Sequence, residues 1–158
     1  DHLTGIYNRR FAENVLSNEL YRLNRYSQKL TIMIIDIDNF KLVNDSLGHE
    51  IGDEVLKQLV EIIQSNIRNS DLFARWGGDE FLCLLPDTGI NDAEGLAEKL
   101  VNITYSTFKS KNLPATLSIG LAEAEARQTP SDVLRCADSA LYKAKENGKN
   151  CFVSNTNI

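Results

Sequence analysis

Seven consecutive residues, Thr31-Ile32-Met33-Ile34-Ile35-Asp36-Ile37, constrain this chain more than any other stretch. The run is β-branched, almost wholly apolar and too short for an ordinary helix. It also lacks the alternation that would leave one face in water. Such a segment reads as a central strand buried on both faces. The rest of the chain must then supply the cover, and 42% hydrophobic residues in a length of 158 suffice for one sizeable core.

The flanking patterns supply it. Residues 8 to about 28 form an amphipathic helix with Phe11, Val15, Leu16, Leu20 and Leu23 at helical spacing. A short helical turn over 39–47 follows the strand. A core-facing helix over 51–67 comes next, apolar at Ile51, Val55, Leu56, Leu59, Val60, Ile63 and Ile67. Two β-like runs, 71–75 and 80–85, flank Trp76-Gly77-Gly78-Asp79. They read as a hairpin, since glycine tolerates the positive φ angles of favoured turns. A helix over 91–109 and a strand over 115–121 come next. Pro130-Ser131-Asp132 opens a last helix through Val133, Leu134, Ala137, Ala140, Leu141 and Ala144, Gly148 ends it, and 151–153 is an edge strand. The order αβααββαβαβ, without repeat or linker, predicts one domain over 1–158 of the α/β (α+β) class, a mixed central sheet flanked by helices.

Charge and cysteine narrow the context. Seventeen basic against 22 acidic residues leave −5, which argues against a face for a nucleic acid polymer. A single nucleotide held by a metal and a few cations stays compatible. No window nears the roughly 18 apolar residues of a membrane span, so no membrane contact is expected from this segment. Asp1-His2-Leu3-Thr4 lacks the basic and apolar regions of a signal peptide. The expectation is a domain cut from a longer cytoplasmic protein, with membrane anchorage left to segments outside this chain. Cys83, Cys136 and Cys151 are odd in number and lack a C-x-x-C pair, which suits buried reduced thiols.

Carboxylates carry the chemistry. Asp36 ends the apolar strand, Asp38 follows on the same side, and Asp79 and Glu80 lie beside the Gly-Gly turn. Ionised carboxylates near a sheet core are costly unless a cation meets them. Asp36 could equally cap the next helix, and Asp79 alone could be an ordinary turn aspartate. If strand and hairpin are neighbours, the two converge on one hard cation such as Mg²⁺. Asn39-Phe40-Lys41 opens a helix whose N–H groups suit phosphate oxygens, and Lys41, Lys145 and Lys149 add charge unless they are solvated helix faces. Asn44 and Asp53 offer the amide and carboxylate that read a guanine edge. His2 and His49 show no metal-ligand spacing, and Trp76 could face a ligand or pack.

These residues fall into four ordered blocks. Asp1-x-Leu3-Thr4-Gly5-x-x-Asn8-Arg9-Arg10 is the first. The second is Asp36-Ile37-Asp38-Asn39-Phe40-Lys41-x-x-Asn44-Asp45-x-x-Gly48-His49-x-x-Gly52-Asp53. Arg75-Trp76-Gly77-Gly78-Asp79-Glu80-Phe81 is the third, and Ala140-Leu141-Tyr142-x-Ala144-Lys145-x-x-Gly148-Lys149-Asn150 the last. Together they resemble the GGDEF domains, the diguanylate cyclases, across essentially the whole chain.

The resemblance implies a fold similar to nucleotidyl cyclase and polymerase palm domains, and an enzyme that joins two GTP into cyclic di-GMP and two pyrophosphates. Asp36, the carbonyl of Ile37 and Asp79 would hold Mg²⁺ or Mn²⁺, with Glu80 close by and Asp79 the better candidate for assisting deprotonation. Asn44 and Asp53 would read guanine. Asn39, Phe40, Lys41, Lys145 and Lys149 would surround the triphosphate, and Gly77 and Gly78 would let the backbone approach it. Arg68-Asn69-Ser70-Asp71 has the R-x-x-D form at the family's inhibitory product site, though such a pair also arises as a surface contact at a helix end. Arg75 could join that site or support the hairpin. Catalysis would need a homodimer, since one site holds one GTP. Lys149 departs from the family's usual arginine, and Ile6 from its leucine. Two rivals stay open: a non-catalytic module that binds GTP or cyclic di-GMP, and a cyclase with relaxed base choice.

Overall fold

The computed structural model describes residues 1–157. Six strands form one mixed sheet in the order β1-β3-β4-β2-β5-β6. The strands are β1 (Tyr7–Asn8), β2 (Leu30–Asp38), β3 (Leu72–Arg75), β4 (Glu80–Pro86), β5 (Thr116–Glu123) and β6 (Phe152–Ser154). The helices are α1 (Arg9–Tyr26), α2 (Phe40–Leu47), α3 (His49–Gln64), α4 (Ile90–Ser110) and α5 (Pro130–Glu146).

The apolar run is the centre of the sheet, with every residue of β2 buried. It runs antiparallel to both β4 and β5. Its two-sided burial therefore comes from helices on both faces. Met33, Ile35 and Ile37 pack with Val55, Leu59 and Ile63 of α3 and Ala97, Leu100 and Phe108 of α4. Ile32 and Ile34 pack with Leu16 and Leu20 of α1 and Val133, Ala137 and Leu141 of α5. Period-two alternation then places Asp36 and Asp38 on the α5 face, in line with those isoleucines. β5 lies tight under α5 because residue 120 is glycine; a Cβ there would run into the Ala137 carbonyl and the Leu141 amide.

Helix ends follow local chemistry. Asn8 caps α1 by accepting from the Phe11 amide at 3.0 Å. Thr129 and Asp132 form a reciprocal capping box on α5 with Pro130 in its first turn.

Several sequence expectations need correction. Phe11 is not a core residue of α1; it is 44% exposed and stacks on Tyr7 at 4.3 Å. The buried stripe runs instead through Ala12, Leu16, Leu20 and Leu23. Ile51 is exposed and Ile67 lies beyond the end of α3. Gly77 and Gly78 do not adopt positive φ, unlike Gly5, Gly48 and Gly148. The hairpin connection is an open bend in which the Trp76 and Gly77 amides both reach the Glu80 carbonyl, at 2.8 and 3.1 Å. Cys83 is buried, but Cys136 and Cys151 are only half-buried; all three are free thiols.

Candidate active site

The carboxylates meet because β2 and β4 are neighbours. Asp36 stands directly opposite Glu80 in the ladder, which places two like charges on one face, a destabilising pairing unless a cation joins them. Asp79 is the next residue, and its carbonyl accepts from the Ile37 amide at 3.2 Å, seating the turn against the strand. Asp36 is nearly sealed from solvent. Burial pushes its carboxyl up, the charges of Asp79 and Glu80 push the same way, and Lys145 only partly offsets them; the result is about 6. The Lys145 ammonium, on α5, lies 2.7 Å from Asp36 Oδ1.

That donor set fits a hard divalent ion. It is all oxygen and carries more negative than positive charge. Among the described residues no group of three His, Cys, Asp or Glu side chains is placed to hold a metal ion by itself. A site of few carboxylates completed by backbone carbonyl, water and phosphate is what Mg²⁺ or Mn²⁺ accepts.

Asp38 has different company. Both of its oxygens are taken, by the Ser118 and Thr116 hydroxyls at 2.7 Å each and by the Asn150 amide at 3.1 Å. Asn39 follows in the left-handed conformation, φ 60°, and its side-chain oxygen accepts from the Lys149 ammonium at 2.8 Å. Lys149 itself lies past the end of α5 rather than on it. Lys41 stands exposed on α2, while Phe40 packs half-buried against the core.

Asn44 of α2 packs against Gly52 of α3, the residue before Asp53. A Cβ on Gly52 would collide with Asn44 Oδ1 and crowd the Phe40 ring at 3.4 Å. Asp53, next in sequence, is exposed beside that contact. Gly77 and Gly78 are exposed too. A Cβ on Gly78 would meet nothing within 4 Å, so the turn keeps bare backbone on the outside.

Arg75 supports the hairpin. Its guanidinium donates to the Gly77 carbonyl at 3.2 Å, to the Gly78 carbonyl at 2.8 Å and to the Asp1 carboxylate at 3.2 Å. Asp1 in turn accepts from the Thr4 amide and hydroxyl, tying the first block to the turn. Trp76 packs: it lies against the α1/α5 core, with the Arg9 guanidinium 4.5 Å from its ring.

Arg68 and Asp71 lie elsewhere, in the loop after α3. Asp71 Oδ2 accepts from the Arg68 backbone amide at 2.8 Å. Asp71 Oδ1 is buried without a partner. Both residues line a groove of about 510 Å³ with Tyr7, Ile67 and Phe73. Burial raises the Asp71 carboxyl, and the Arg68 amide bond opposes that.

Sequence reasoning had not found Thr116, Ser118, the Asn150 amide or the Lys149–Asn39 contact. The alternation Thr116-x-Ser118 on a strand was the available signal, but only the register with β2 aims it at Asp38.

Comparison with known proteins identifies the family. The family model "Diguanylate cyclase, GGDEF domain" matches residues 1–151. Response regulator PleD of Caulobacter vibrioides is 39% identical over 97% of this chain, and diguanylate cyclase DgcS of Shewanella oneidensis is 36% identical over 96%. The chain spans 35% and 51% of those two relatives. The crystal structure of the GGDEF domain of DgcB from Caulobacter crescentus, in complex with c-di-GMP, superposes with a TM-score of 0.91 at 27% identity, covering 99% of this chain and 95% of that one. The active GGEEF domain of a Vibrio cholerae diguanylate cyclase gives 0.85 at 35% identity, covering 94% and 97%. The chain belongs to the GGDEF domain family of diguanylate cyclases.

Proposed function

We propose that this chain is the catalytic domain of a longer diguanylate cyclase, converting two GTP into cyclic di-GMP and two pyrophosphates. The observation that carries the reading is the opposed Asp36–Glu80 pair with Asp79 beside it at the end of β2. Asn44 and Asp53 hold guanine by its O6 or N3 and its N–H groups. The amides of Phe40 and Lys41, with the Lys41, Lys145 and Lys149 ammonium groups, receive the triphosphate. The bare turn at Gly77 and Gly78 lets the nucleotide approach.

In each half-reaction a ribose 3′-oxygen forms a bond to the α-phosphorus of the other GTP. The bond from that phosphorus to the bridging oxygen breaks, pyrophosphate leaves, and Asp79 assists removal of the 3′-hydroxyl proton. The lysines neutralise charge on the departing phosphates. A bound Mg²⁺ or Mn²⁺, held by Asp36, the Ile37 carbonyl and Asp79, supplies Lewis-acid activation of the 3′-hydroxyl and charge neutralisation. Two domains must face each other across a two-fold axis, so the active species is a homodimer.

The Arg68–Asp71 groove is the product site. The Arg68 guanidinium suits guanine acceptors, and the Asp71 carboxylate suits guanine N–H donors. The product-bound DgcB structure supports cyclic di-GMP as a ligand of this class.

Incubation with GTP and Mg²⁺ tests the assignment, with products separated by chromatography. Asp79→Ala should lower turnover by about a hundred- to ten-thousandfold; equal product from both proteins refutes the catalytic role. Absence of metal-dependent pyrophosphate release would favour the binding module. Specific activity should rise with protein concentration, and turnover that is flat on dilution contradicts the dimer. Asp53→Ser should reduce preference for GTP over ATP by about ten- to a hundredfold in mixed-substrate product analysis; unchanged selectivity removes Asp53 from base reading.

A further inference from the structure

Asp38 shares a face of β2 with Asp36 but takes no part in the chemistry proposed above. Its carboxylate is only 2% exposed and accepts three hydrogen bonds. Two of them come from β5, the strand beside it. The third comes from outside the sheet, from the Asn150 amide, and that bond has a different consequence.

Residues 148–150 all lie at positive φ: Gly148 at 106°, Lys149 at 65° and Asn150 at 50°. Glycine adopts this region freely, whereas Lys and Asn reach it at a conformational cost, so three in a row persist only where surrounding bonds impose them. The Lys149 amide is held by the Ala144 carbonyl at 3.1 Å, and the Ile119 amide holds the Cys151 carbonyl at 3.0 Å. Between these two points, Asp38 is the group that fixes Asn150. From this turn the Lys149 side chain crosses to Asn39, the residue after Asp38, which is itself left-handed and makes no side-chain bond to cap α2. One aspartate thus stands at the junction of the strand end, the start of α2 and the turn that carries a lysine.

We propose that Asp38 is a positioning residue, locking the left-handed turn after α5 so that the Lys149 ammonium is held over the end of β2, where the triphosphate binds. This rests on the reading of Lys149 as a phosphate ligand. A lysine has many rotamers and a flexible stem, so fixing its backbone is what lets a single ammonium act at one place. Asp36 and Asp38 then divide the work along one strand face: the first offers charge to the reaction, and the second spends its charge on holding the shell around it.

The test is a double-mutant cycle on the full chain. Binding of a non-hydrolysable GTP analogue with Mg²⁺ is measured by calorimetry for wild type, Asp38→Ala, Lys149→Ala and the double variant, with thermal melts in parallel. Each single change should weaken binding by about tenfold or more. The double variant should bind within about twofold of Lys149→Ala alone, because the first effect passes through the second residue. Thr116→Val, which removes a donor from Asp38 but spares Asn150, should lower the melting temperature and leave analogue affinity within about twofold. Multiplying losses in the cycle, unchanged affinity in Asp38→Ala, or a full loss in Thr116→Val would each overturn the proposal. Where Asp38→Ala fails to fold, Asp38→Asn, which keeps an acceptor for the Asn150 amide, enters the same cycle with a milder loss and the same criterion. A wild-type chain that binds no analogue defeats the functional reading as well, whereas a wild type that binds with multiplying losses defeats this inference alone.

Discussion

Two aspartates at separate sites of this molecule show how surroundings divide the work of one side chain. Asp36, at the end of β2, and Asp71, in the loop after α3, both have carboxyls pushed upward, with burial the largest cause in each. Their partners differ. Asp36 faces a lysine ammonium on one side and two further carboxylates on the other, so what it lacks is positive charge. Asp71 is bonded by a backbone amide through one oxygen while the other oxygen is buried and bare, so what it lacks is a hydrogen-bond donor. On the function proposed above, the first environment would take a cation and the second the N–H edge of a ligand.

The largest effect that would test this contrast is at Asp36. Replacement by Asn should cut turnover by about a hundredfold or more, since the cation loses its buried ligand. The same change should stabilise the metal-free domain at neutral pH. Burial holds the folded carboxyl at about 6, against the ordinary 3.8 of the unfolded one. Between these values the folded chain holds the proton and the unfolded chain does not, so stability falls as pH rises through that window. Asn removes that loss, a gain on the order of 1–3 kcal/mol in which the Lys145 pair is already counted. Denaturant unfolding of both proteins at pH 4 and pH 7 checks the sign. A variant that is less stable than wild type at pH 7 would break the account of Asp36 as a charge-starved site.

Arg68→Ala should act on the other site alone. Cyclic di-GMP should inhibit about ten- to a hundredfold more weakly, while GTP turnover without product stays near wild type. A matching fall in turnover would merge the two sites into one. The smallest expected effect belongs to Asp71→Asn, which keeps an acceptor for the Arg68 amide but puts a donor in place of the buried, unpartnered oxygen. Stability at pH 7 should rise slightly, because a raised carboxyl no longer has to ionise, while product affinity falls. Calorimetric melts alongside product titration read both, and unchanged product affinity would remove Asp71 from ligand contact.

Much of this was visible before any coordinates. The apolar run marked β2, and Pro130 with Asp132 marked the start of α5, because these are local signals with local physical causes. Phe11 and Ile51 misled because periodicity reports which residues could be inside. The partner surface decides which are, and neither faces one. The two residues of β1 were too few to leave a pattern at all. At the site, the charged and amide groups could be listed from their types, but their distribution between chemistry and scaffold could not. Asp36 and Asp38 look alike in sequence, and Arg75 is as plausible a ligand contact as a brace.

The linear order of residues therefore determined which elements form, how they are capped and which acidic, basic and amide groups are available, since these depend on neighbours a few positions away. The folded sheet decided the rest. Register set Glu80 against Asp36 and aimed Thr116 and Ser118 at Asp38. Helix packing brought Lys145 to the first aspartate and the Asn150 amide to the second. Those pairings join residues far apart in the chain, and burial makes each one matter by removing the water that would otherwise satisfy the same groups.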